Sequence, residues 1–164
     1  MGVLARAELL LQAKNYSGSG DWLDEANSHN AVNNGALFLA HKGIQYLYLP
    51  GILSNFANIP DHANFDQNTF TVKVRVSPDT WDPSTHYNHV VRGATWAFYS
   101  DSTQVQTISF VIQGVASYHS TSEVSFVDGD IGWIGMTRNG SSGDVNFYTS
   151  TDGVGWTQLG NTVS

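Results

Sequence analysis

The sequence predicts an all-β protein of antiparallel strands, and three observations predict it. Residues 69–77 read TFTVKVRVS, so that Phe70, Val72, Val74 and Val76 share one face while Thr69, Thr71, Lys73 and Arg75 share the other. Strict two-residue alternation means one buried and one wet face. The stretch 126–160 breaks into three apolar runs, 131–138, 145–150 and 154–159, separated by clusters of Asp, Gly, Asn and Ser. Such runs between turn residues read as consecutive strands. The composition agrees: charged residues are 13%, and only Glu8, Glu25 and Glu123 supply glutamate. Helical proteins lean on Glu, Lys and Leu; sheet proteins with many turns do not.

Taken in order, residues 5–11 are too few for periodicity to separate a helical turn from a strand, and residues 1–13 read as an N-terminal arm. Residues 15–20 (NYSGSG) form a loop, and the Asn- and Asp-rich 21–35 predicts irregular backbone. Residues 37–40 and 45–49 predict a strand pair around His41-Lys42-Gly43, ended by Pro50-Gly51. Residues 52–68 are connection, and 78–88 a long loop. A hairpin is expected from 89–92 and 95–100. In 104–113 the set Ile108, Phe110 and Ile112 faces inward. Residues 122–127 predict one more strand before the last three. Residues 139–142 and Asp152-Gly153 close the terminal hairpins, because Asn-Gly and Asp-Gly tolerate the positive φ of short turns. About ten strands in a single domain, 1–164, favour a sandwich or barrel.

Several function classes are excluded by the same reading. The net charge is −7, and the seven Lys and Arg are scattered singly. Nucleic acid and anionic membrane surfaces need clustered cations, so neither is an expected partner. The absence of cysteine removes thiolate metal sites and thiol nucleophiles. A short N-terminal apolar run interrupted by Glu8 does not make a signal peptide. No stretch has the length of a membrane span, so the expectation is a soluble product without a standard export signal.

Three passages carry a resemblance: LLLQAKNYSGSGDWLDEANSHNAV, QYLYLPGILSNFANIPDHANFDQNTFTVKVRVSPDTW and DVNFYTSTDGVGWTQLG. In this order they resemble the concanavalin A-like, laminin-G-type jelly rolls of bacteriophage virion proteins, minor tail or decoration proteins among them. The resemblance spans most of residues 9–160. It implies an antiparallel jelly-roll sandwich without enzymatic activity, acting as a structural and adhesive part of a virion. The implied partners are other virion proteins, further copies of the chain and host surface glycans. The implied location is the virion, after assembly in the host cytoplasm. Members of the group continue with further strands beyond the "W..LG" hairpin, whereas this sequence stops at Ser164. That implies closure with fewer strands or completion by a neighbouring chain, since an open edge is a liability. The competing readings are a cellular carbohydrate-binding module or lectin and, behind it, a glycoside hydrolase.

Candidate sites follow. Glycosidases need two facing carboxylates. The Glu-x-Asp-x-x-Glu strand of glucanases on this fold is absent, and Asp128 with Asp130 reads as turn chemistry. The six histidines are isolated or, at His86 and His89, diverge in an extended chain. Asp21, Asp24, Glu25 and Asn27 place four oxygen-bearing side chains in seven residues, a candidate Ca²⁺ cluster. Asp79 and Asp82 make a poorer one. Trp81, Asp82, Tyr87, Tyr118 and His119 fall in or beside predicted loops and are the candidate carbohydrate contacts. Trp96, Trp133 and Trp156 lie in predicted strands and are expected in the core.

Overall fold

The computed structural model describes residues 10–26, 28–41, 43–48, 56–60, 62–65, 67–81, 88–92, 96–100 and 106–164. It is all-β and antiparallel, with twelve strands among the described residues and only two single-turn 3₁₀ segments, Ala13–Asn15 and Ala63–Phe65. The chain divides into two compact units, Met1–Gln67 and Asn68–Ser164.

In Met1–Gln67 the strands are β1 (Val32–Asn34), β2 (Leu37–His41), β3 (Ile44–Tyr48) and β4 (Phe56–Asn58). They form two two-stranded ladders, β1 with β4 and β2 with β3. The β2–β3 hairpin turns at Gly43, whose φ of 76° suits a residue without Cβ. Phe38 of β2 stacks on Tyr16 at 3.7 Å and meets the edge of Trp22 at 5.3 Å. The irregular backbone expected over 21–35 is pinned by isolated bridges, Leu11 to Asp24 and Trp22 to Ala31. Two short strands escape the sequence reading here. β1 lies inside the stretch expected to be irregular, and β4 inside the expected connection.

Asn68–Ser164 holds β5 (Phe70–Val76), β6 (Asn88–Arg92), β7 (Trp96–Ser100), β8 (Ile108–Ile112), β9 (Ala116–His119), β10 (Gly132–Arg138), β11 (Val145–Ser150) and β12 (Thr157–Gln158). They make two four-stranded sheets, ordered β12-β11-β10-β5 and β6-β7-β8-β9. One core receives side chains from both. Ile134, Met136, Val145 and Phe147 come from the first sheet, and Phe98, Ile108 and Phe110 from the second. Phe70 and Phe110, one from each sheet, meet edge to face at 5.8 Å. Each fully buried side chain of this kind stabilises the fold by about 1.5–3 kcal/mol relative to exposure. β5 shows the expected alternation, its Phe and Val residues half-buried and Thr71, Lys73 and Arg75 exposed.

Three expectations are corrected in this unit. Residues 122–127 form no strand among the described ladders. Val124 and Phe126 still alternate into the core, and the Val124 N–H donates to the Gln106 carbonyl at 2.7 Å. The run 154–159 is mostly turn: Val154 is 84% exposed, and pairing resumes only at Thr157–Gln158. Finally, β9 appears where no strand was read. Gly114, at φ 72°, turns the chain there, and Ser109 to Ile112 pair with Ala116 to His119.

Candidate functional site

The feature that stands out lies on the outer face of the sheet β12-β11-β10-β5. Register dictates its membership. Trp133 pairs with Arg75 on one side and Ser150 on the other, and Gly135 pairs with Lys73 and Tyr148. Directly paired residues share a face. Ile134 and Met136 therefore point into the core and Trp133 points out, over the wet face of β5. The ring of Trp156, from the β11–β12 turn, lies over Gly135. A Cβ at Gly135 would come within 3.0 Å of that ring and 3.1 Å of the Val72 carbonyl oxygen. Gly135 is what lets the indole rest on the sheet.

The two indoles are half-buried and meet edge to face, 6.4 Å between centroids at 72°. Lys73 Nζ stands 4.7 Å from the centroid of Trp156, and the Arg75 guanidinium carbon stands 6.0 Å from that of Trp133. Such distances hold a cation over the negative face of a ring. Among the described residues, neither cation has a carboxylate within ion-pair reach.

The turn that carries Trp156 is wired to itself. Ser150 Oγ donates to Asp152 Oδ1 at 3.0 Å and accepts the Gly153 N–H at 2.9 Å. Asp152 Oδ1 also accepts the N–H groups of Val154 and Gly155, at 2.8 and 2.9 Å. These backbone donors, followed by Ser150, hold the Asp152 carboxyl below the ordinary carboxylate range. Trp156 Nε1 donates to the Gly153 carbonyl at 3.0 Å, which fixes the angle of the indole. Gly153, at φ 77°, sits so near Trp133 that a Cβ would come within 2.8 Å of its ring. In the neighbouring turn, hydroxyls of Ser142 and Ser164 lower the Asp144 carboxyl in the same way.

The core placement expected for Trp133 and Trp156 is thus corrected, while Trp96 packs against the core as expected. A parity signal was present. Trp133 alternates with Ile134 and Met136 and shares its parity with Gly135 and Thr137.

Three of the predicted carbohydrate contacts are among the described residues. Trp81 is 1% exposed and packs against Phe126 at 6.0 Å, so no sugar can stack on it. Its backbone N–H donates to Asp128 Oδ1 at 2.7 Å. Tyr118 is half-buried against Phe110, ring centroids 6.0 Å apart. His119 Nδ1 shares a 2.8 Å hydrogen bond with Ser109 Oγ. Asp82 and Tyr87 lie outside the described residues.

Two members of the candidate calcium cluster, Asp24 and Glu25, are occupied by donors. The buried Asp24 carboxylate accepts backbone N–H groups from Leu10, Ala26 and His29 at 2.8, 2.9 and 3.2 Å. Glu25 accepts Gln12 Nε2 at 2.6 Å and also the Asn15 amide. Asp21 is exposed, and Asn27 lies outside the described residues. Among the described residues no three His, Asp or Glu side chains gather as a metal site. Asp130, like Asp128, serves a turn, accepting the Val127 N–H at 3.1 Å. No helix among the described residues is long and apolar enough to cross a membrane.

No protein-family model, no curated protein and no solved structure matches this chain. Its chemistry is therefore argued from the residues themselves. The outer face offers two fixed aromatic rings and two cations on a rigid sheet, which suits recognition. Asp128, Asp130, Asp144 and Asp152 are engaged with backbone and hydroxyl donors.

Proposed function

We propose that this chain is a non-enzymatic structural and adhesion protein of a bacteriophage particle, associated with the tail or decorating the surface. We further propose that its sheets stack as a concanavalin A-like jelly-roll sandwich. One observation carries the reading: side chains of two four-stranded antiparallel sheets meet in a single core, and the outer face of one sheet holds aromatic rings at fixed angles. A rigid double-sheet body with a displayed face suits a part that binds and assembles. The state of the acids supports the non-enzymatic half. Asp128, Asp130, Asp144 and Asp152 each accept hydrogen bonds within turns or between loops. The phage assignment rests on the three ordered passages quoted above.

The test is particle association. Phage particles banded from a lysate that produces this chain are expected to contain it at fixed stoichiometry by mass spectrometry, and to bind antibody raised against it under the electron microscope. A chain that stays in the soluble fraction, away from the particles, ends the proposal.

The half-buried outer-face indoles favour one second reading, a cellular carbohydrate-binding module. Trp81→Ala cannot probe it, because that change opens the core. Titration with polysaccharides, using Trp156→Ala as the control, separates the two readings.

A further inference from the structure

We propose that the outer face of the sheet β12-β11-β10-β5 is a binding platform for a carboxylate-bearing saccharide. The proposal deepens the adhesive half of the function proposed above and rests on it. Two independent observations point to such a ligand. The first is the pair of indoles, Trp133 and Trp156, held edge to face on the surface rather than in the core. A sugar ring offers polarised C–H groups to the negative face of an indole, and a fixed ring loses little entropy on binding. Trp156 is fixed by its Nε1 hydrogen bond to Gly153 and by the space that Gly135 leaves beneath it.

The second observation is charge. In a chain of net charge −7, Lys73 and Arg75 stand two residues apart on the same exposed face. Strand geometry sets them about 7 Å apart along β5. Neither has a carboxylate partner among the described residues; each faces an indole instead. A ligand that reaches the rings therefore meets two cations standing over them, and a guanidinium receives a carboxylate by two parallel hydrogen bonds. Tyr148, paired with Gly135 on the same face, adds a hydroxyl on the opposite side. Two cations suit a singly charged sugar unit. They are too few for nucleic acid, whose affinity comes from many phosphate contacts.

Calorimetric titration of the full chain tests this with a galacturonic-acid hexasaccharide, its fully methyl-esterified form, and the pair sialyllactose and lactose. Saturable binding of at least one acidic probe is expected, with its neutral counterpart about tenfold weaker or more. Lys73→Gln/Arg75→Gln should bring the acidic probe down to the neutral one, and Trp156→Ala should remove about tenfold from both. Both substitutions lie on the outer face, and an unchanged melting temperature verifies the fold. Raising the salt should weaken the acidic probe alone. The proposal is overturned by absence of binding to both acidic probes, by equal binding of acidic and neutral forms, or by acidic binding that survives the double substitution. Particle association is measured separately. A chain that bands with particles but ignores acidic saccharides leaves the structural role standing and removes this one.

Discussion

Met1–Gln67 and Asn68–Ser164 use similar strands and hold them by different means. In the second unit, strands of two four-stranded sheets deliver Phe98, Phe110, Phe147, Ile134 and Met136 to one core. In the first, Ala31 and Ala36 are the buried apolar residues among those described. Leu23, Leu37 and Phe56 remain 61%, 50% and 45% exposed there. Order in that unit comes from polar wiring, with Asp24 gathering three backbone N–H groups and Glu25 two side-chain amides. Burial of large side chains makes stability cooperative, whereas local hydrogen bonds each add about 1 kcal/mol and open segment by segment.

The sharpest way to break this contrast is Phe147→Ala. It removes a fully buried ring from the shared core and should cost about 3–5 kcal/mol. The expected outcome is a large fall in the denaturant midpoint, with amides of β10 and β11 losing protection together. Preserved protection in those strands would show that the core is not shared. A smaller effect is expected from Asp24→Ala, which strands three amides and costs about 1–3 kcal/mol. Hydrogen exchange should speed up around residues 10–30, while β8, β10 and β11 exchange as before. A matching loss in β10 would mean that the two units unfold as one.

The smallest effect is one of pH. The Asp144 and Asp152 carboxyls are held below their ordinary value of 3.8 in the folded chain. A depressed carboxyl contributes stability above its unfolded pKa and loses it as pH falls through the folded one. Melting temperatures should therefore decline modestly as pH drops below 3.8. Asp152→Asn keeps an acceptor oxygen for Val154 and Gly155 but cannot titrate, so its decline should be shallower. Parallel curves for the parent and the variant would assign the acid sensitivity to other groups.

How much was legible follows the same divide. Where an apolar run lies between turn residues, sequence and structure coincide, as in β5, β8, β10 and β11 and in the β2–β3 and β6–β7 pairs. Where side chains take over from the ladder, the reading slipped. The run 154–159 looked like a strand, but Ser150 and Asp152 capture the amides that a ladder would use. The segment 122–127 has the alternation of a strand and its inward residues, yet forms no ladder. Trp81 shows the limit of reasoning from loops, since a bend residue can still fill the core. The outer-face pair was obscured because tryptophan looks like core. Only its phase against Ile134 and Met136 reveals the side on which it stands.

The turn from Ser150 to Trp156 also predicts where variation is tolerated. Ser150, Asp152, Gly153 and Trp156 each commit a side chain or a left-handed backbone to the same small hub. Thr151 and Val154, between them, look into solvent. The letters of an S-x-D-G-x-x-W string thus mark the side chains and left-handed backbone committed to the hub, while the blanks at 154 and 155 contribute only backbone N–H groups. Random libraries at positions 151 and 154 would reshape the rim of the aromatic face without disturbing the hinge that aims it.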